Sequence, residues 1–147
     1  MRPMSDVPAP GLAVLVYSDD PLIRDAVRNA LGRRPAPDLG RVEYEEIATG
    51  ADLVRRVDRG GVDLIVLDGE AWPTGGMGLS KQLKDEIADC PPTLLLIARR
   101  DDAWLARWSL ADGVLRLPVD PPELVSAATE LLRQRQARQP VRRHVAS

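Results

Sequence analysis

Acidic side chains stand behind two apolar runs of this chain. Asp19 and Asp20 follow LAVLVY (12–17), and Asp68 ends VDLIVLD (62–68). If both runs are strands of one sheet, three carboxylates converge at one edge of it. Converging carboxylates are hard oxygen donors, the ligand type of Mg²⁺, so a weak affinity for that cation is expected at Asp19 and Asp68. With one cysteine (Cys90) and one histidine, a disulfide within the chain, a multi-cysteine metal site and a His-based zinc site are excluded. TGGMG (74–78) has the composition of a phosphate-holding backbone nest ahead of a helix, but no Lys-Ser/Thr pair follows it and it reads as a flexible loop. Trp104 and Trp108 are four residues apart and so share one helix face, in a chain with only 3% aromatic residues. They are either sheet-covering core or anchors for a partner, with Arg107, Arg116 and Arg133 placed to rim them.

The elements that must position these groups are legible from periodicity. LAVLVY is apolar throughout, as a strand buried on both faces is. Asp20 is placed to cap a helix that opens at Pro21, carries Leu22, Ile23, Ala26, Val27, Ala30 and Leu31 at helical spacing, and stops at Gly32. A strand over 42–47, a helix over 51–59, a strand over 62–68, a helix from Leu79 and a strand over 93–98 continue the series. A helix near 102–111, a strand over 114–117 and a helix from about 121 complete it, reaching 136 or as far as Gln139 before Pro140 breaks it. Strands that alternate with helices need crossover connections. The expectation is therefore an α/β fold with a doubly wound five-stranded parallel sheet of flavodoxin-like topology, and a site at the C-terminal strand ends.

With 147 residues and a net charge of −2, the chain fits one domain over 11–133, with a loose proline-rich leader at 1–10 and a basic tail at 134–147. No apolar run approaches a membrane span and the first residues lack the core of a signal peptide, so a cytoplasmic location is expected. The tail carries arginines but no aromatic residues, which offers electrostatic attraction without sequence readout.

Three segments resemble one family in order. YSDDPLIRDAVRNAL is similar to the opening of the receiver domain of two-component response regulators, VDLIVLD to its phosphoacceptor strand, and LADGVLRLP to its last strand and following proline. The resemblance implies the CheY-like fold over about residues 11–133. It also implies that Asp68 is the phosphoacceptor, that Asp19 is the metal-ligating acid, and that a histidine kinase is the phosphodonor. The same alignment places Ser18 at the first acid, Ile97 at the switch hydroxyl, Val114 at the switch aromatic and Leu117 at the lysine before the proline. Leu117 cannot neutralise a phosphoryl group and Ile97 cannot donate to one, which argues against a kinase partner. The loop after Asp68 is also about two residues longer than the family pattern.

The expected function is therefore that of an atypical stand-alone pseudo-receiver, non-enzymatic and independent of phosphorylation, acting as a protein-interaction module or accessory subunit. A DNA-binding domain is not expected in a chain of this length. The sequence is similar to the orphan receivers of actinobacteria. Some of these are associated with the respiratory NADH dehydrogenase, complex I, which implies a place at the cytoplasmic face of a membrane complex. Two alternatives remain at this point: a true phosphoacceptor relay receiver using Asp68, and a small-molecule binder of flavodoxin topology.

Overall fold

The computed structural model describes residues 11–99 and 102–146; the expected leader, residues 1–10, lies outside them. Ten elements alternate: β1 (Leu12–Tyr17), α1 (Pro21–Leu31), β2 (Val42–Ile47), α2 (Gly50–Asp58), β3 (Leu64–Asp68), α3 (Gly76–Glu86), β4 (Thr93–Ile97), α4 (Ala103–Trp108), β5 (Gly113–Arg116) and α5 (Pro121–Ala146). The strands form one parallel sheet in the order β2-β1-β3-β4-β5, as alternation requires. Burial follows strand position. β3 and β4 are buried at every residue and β1 at all but one, whereas of the edge strands β5 alternates and β2 is buried only at its two ends.

The sheet divides the core into two layers. Val14, Val16, Leu64, Val66, Leu94 and Leu96 pack with α1 and α5, and Leu15, Ile65, Leu67, Leu95 and Ile97 pack with α2, α3 and α4. Each such pair of faces is the ordinary consequence of strand alternation between two helical layers. Asp20 caps α1 by accepting from the Leu22 N–H at 2.9 Å, and Gly32 ends that helix at φ 64°, a conformation that suits glycine.

Several boundaries depart from expectation: β3 begins at Leu64 rather than at 62, and α4 ends at Trp108 rather than near 111. α3 begins at Gly76 rather than Leu79, so part of the expected flexible loop is its first turn. The glycine is there for space: a Cβ at Gly76 would lie 2.8 Å from the Asp68 carbonyl and 2.9 Å from the Leu67 Cβ, so the helix start rests directly on β3. At the other end, α5 continues through Pro140 to Ala146, and the stretch read as a tail begins inside it. Arg135 of that stretch is buried, so this part of the stretch belongs to the folded body; the side chains of Arg142 and Arg143 lie outside the described residues.

Candidate functional site

The parallel register brings the acidic residues together. Tyr17 pairs with Leu67, so the residues that follow, Ser18 and Asp68, end their strands side by side. Asp68 is 2% exposed and Ser18 fully buried. The Ser18 hydroxyl donates to Asp68 Oδ2 at 2.7 Å and accepts the Asp20 N–H at 3.0 Å, while the Glu70 N–H donates to Asp68 Oδ1 at 2.8 Å. Both carboxylate oxygens thus have neutral donors from the protein itself. Asp19 is exposed, and its Oδ1 accepts the Trp72 N–H at 3.2 Å, which ties the β3–α3 loop to the end of β1. Below them the Tyr17 hydroxyl donates to the Thr74 carbonyl at 2.6 Å. Burial, and then the Asp19 and Asp68 charges, push the Tyr17 phenol above its ordinary pKa.

This donor set offers a magnesium ion two carboxylates, Asp19 and Asp68, with each Asp68 oxygen already accepting one hydrogen bond. Mg²⁺ demands octahedral oxygen geometry and is reluctant to give up its waters. Here the hydroxyl of Ser18 stands against Asp68 and covers one of its oxygens with a hydrogen atom. Among the described residues no group of three or more His, Cys, Asp or Glu side chains could hold a metal.

The remaining receiver positions are apolar, as the sequence states, and the structure shows what they do instead. Ile97 is 2% exposed and packs in the core layer beneath α3 and α4. Leu117 gives its backbone N–H to the Ile97 carbonyl at 2.8 Å and packs its side chain against the α1/α5 layer. Neither presents a donor to Asp68. The Trp72–Pro73 and Leu117–Pro118 peptide bonds are cis.

Away from Asp68, the tryptophans of α4 face solvent: Trp104 is 62% and Trp108 50% exposed, whereas Ala106 between them is buried. This orientation has a structural cause. Ser80 of α3 donates to the Ser109 carbonyl at 2.9 Å and lies 3.1 Å from the Thr93 hydroxyl, and Ser109 donates to the Ala106 carbonyl. This fully buried polar cluster seats the Ala106–Ser109 side of α4, and residues on the opposite side must point outward. Val114 and Arg116 pair with Leu95 and Ile97, which face the α4 layer, so both stand on the α4 side of the sheet. Arg107 and Arg116 are exposed and have no ion-pair partner among the described residues, and Leu110 and Val114 add exposed apolar surface. Arg133 does not join them. It makes a bidentate pair with Asp38 in the α1–β2 loop, both contacts 2.8 Å, so its charge is engaged beside α1.

Sequence reasoning missed Arg24, whose Nη1 donates to the Ser18 carbonyl at 2.6 Å while Nε pairs with Glu46, fixing the end of β1. An arginine one turn into α1 was the available signal. The Ser80–Thr93–Ser109 cluster was also missed, since three small hydroxyl residues scattered over 30 positions carry no pattern.

Comparison with known proteins completes the assignment. No family model matches the chain. An uncharacterised response regulatory protein of Mycobacterium tuberculosis (strain H37Rv) is 55% identical over 122 residues, which is 83% of this chain and 92% of that protein, and its counterpart in strain CDC 1551 matches equally. A CheY-like response regulator receiver domain protein from Methanospirillum hungatei shares the fold at a TM-score of 0.71 and 18% identity, over 88% of this chain and 99% of that one. The chemotaxis response regulator CheY4 of Vibrio cholerae does so at 0.68 and 21%, over 83% and 99%. With this level of identity over most of both chains, the chain belongs to the response regulator receiver family.

Proposed function

We propose that this receiver works without phosphoryl transfer, as a protein-interaction module or accessory subunit and not as an enzyme. The observation that supports this is the surroundings of Asp68: a buried carboxylate satisfied by Ser18 and the Glu70 N–H, with Ile97 and Leu117 offering neither a hydroxyl nor a cation. A phosphoryl group brings about −1.5 to −2 charge and three acceptor oxygens, and leaving buried acceptors unpaired costs about 1–3 kcal/mol each. Incubation with a small phosphodonor and Mg²⁺, followed by intact mass spectrometry, is expected to show little or no phosphoryl adduct. Rapid stoichiometric labelling that disappears in Asp68→Asn would replace this reading with the phosphoacceptor relay, the alternative favoured by the place of Asp68 at the end of β3.

The partner surface in this reading is the exposed α4–β5 face. Its Trp104, Trp108, Leu110 and Val114, with Arg107 and Arg116 that have no ion-pair partner among the described residues, suit a partner whose contact surface is apolar and acidic. The resemblance to actinobacterial orphan receivers makes the respiratory NADH dehydrogenase the first partner to test, from the cytoplasmic side. Among the described residues no helix is long and apolar enough to cross a membrane, so such an attachment would be peripheral. Co-purification of the complex with tagged chain from native membranes, lost in Trp104→Ala, is the expected result. Recovery of the complex in equal amount with Trp104→Ala would remove this face from the assignment.

A further inference from the structure

Six large apolar side chains are exposed among the described residues, and four of them, Trp104, Trp108, Leu110 and Val114, belong to the α4–β5 face. The other two are the most exposed of all, Leu22 at 75% and Trp72 at 76%. Both stand beside Asp19. Trp72 is held there by its N–H on the Asp19 carboxylate, and Leu22 lies in the first turn of α1 with its N–H on the Asp20 carboxylate. The loop that presents Trp72 is braced on both sides of it. The buried Ala71 gives its N–H to the Asp68 carbonyl at 3.2 Å, and the Thr74 carbonyl accepts the Tyr17 hydroxyl at 2.6 Å. A large side chain on a backbone already held in place loses less freedom when a partner covers it. The charge around this pair is acidic. Asp19, Asp25 and Glu70 are exposed and have no ion-pair partner among the described residues, and Asp25 lies one turn from Leu22 on the same side of α1. Against these three acids, Arg24 is engaged by the Ser18 carbonyl and Glu46, and Arg99, past the end of β4, is exposed on the same edge of the sheet.

The end patch is therefore apolar and acidic, while the α4–β5 face, with Arg107 and Arg116 beside its tryptophans, is apolar and basic. Each has the chemistry that complements the other. We propose that a second copy of this chain docks on the α4–β5 face through Leu22, Trp72 and the carboxylates around them. Like charge opposes the other pairings, since two end patches would bring acids together and two α4–β5 faces would bring arginines together. Because the two patches are different surfaces of one chain, the contact is heterologous and copies add end to side. This rests on the reading of the α4–β5 face as a binding surface and adds its regulation: a face covered by a second copy is withheld from any other partner.

In sedimentation velocity the full chain should self-associate as its concentration rises, and less so as salt screens the charges. Trp72→Ala and Trp104→Ala should each weaken this association about 30-fold, as the loss of a tryptophan anchor does. The decisive measurement is their mixture. Each variant keeps the patch that the other has lost, so at a concentration where neither associates alone, equal amounts should form a one-to-one dimer. A chain that stays monomeric up to about 1 mM overturns the proposal. So does a Trp72→Ala chain that associates like the unaltered one, or a mixture that stays monomeric where the unaltered chain assembles. Should either variant fail to fold, Leu22→Ser takes the place of Trp72→Ala, and Trp108→Ala that of Trp104→Ala, with the same expectations. The co-purification described above separates the two readings. If tagged chain captures its complex while purified copies stay monomeric, the face is a partner site and only the self-docking fails; assembly without capture sustains the self-docking and removes the partner.

Discussion

Asp68 and Arg135 are both charged side chains taken almost wholly out of water, at opposite ends of the same sheet, and the fold completes one while leaving the other open. Asp68 ends a central strand, where the hydroxyl of Ser18, just past β1, and an N–H from its own loop meet both of its oxygens. Arg135 lies where a helix passes over two loops, and its buried Nε has no hydrogen-bond partner among the described residues. In the central sheet, in-register strands bring polar groups together at fixed spacing. At the helical periphery the spacing is set by loop packing, and a long side chain can end without a partner. The region expected to carry chemistry is thus the closed one, and the region read as a basic tail contains the group left without a partner among the described residues.

The largest effect should come from opening the closed end. Asp68→Ala leaves the Ser18 hydroxyl and the Glu70 N–H unpaired and should lower the unfolding free energy by about 2–3 kcal/mol in urea denaturation. Asp68→Asn keeps one acceptor and should change it by less than about 1 kcal/mol. If Ala and Asn behave alike, Asp68 is not held as described.

The lateral face should separate folding from binding. Trp104→Ala and Trp108→Ala should each leave folding within about 0.5 kcal/mol while weakening a partner by about 2 kcal/mol, roughly 30-fold. Core tryptophans would instead cost folding about 3–5 kcal/mol, which denaturation curves would expose at once.

Arg135→Met keeps much of the stem's volume and removes a buried charge with an unpaired donor. Stability should stay within about 1 kcal/mol or rise, since removing an imperfectly paired buried charge is often neutral or favourable. A loss as large as that of Asp68→Ala would show that the two ends are alike after all.

The smallest effect is a titration. The fold raises the Tyr17 pKa above its ordinary 10.0, so it favours the neutral phenol. The stability this contributes is fully present below the unfolded pKa of about 10 and is lost as pH rises through the higher folded value. Asp68→Asn removes one of the three causes, so tyrosinate absorbance should show Tyr17 titrating at a lower pH than before. Tyr44, the other tyrosine, pushed up to about 12 mainly by burial, should not move.

The strand–helix alternation, the parallel sheet and the placing of Asp19 and Asp68 at its C-terminal edge were all readable before any coordinates. Periodicity of two or 3.6 records which side of each element is buried, and alternation leaves little freedom in connecting parallel strands. The absence of a hydroxyl at Ile97 and of a cation at Leu117 was equally readable, because a missing functional group needs no geometry to establish. Contacts between residues far apart in the chain were another matter. That Ser18 would close Asp68, that Arg133 would turn to Asp38 instead of the tryptophans, and that Ser80, Thr93 and Ser109 would seat α4 with its tryptophans outward depended on distances across the packed layers. Helical spacing places Trp104 and Trp108 on one face in either reading; only the neighbour that covers the other face decides whether they meet core or water.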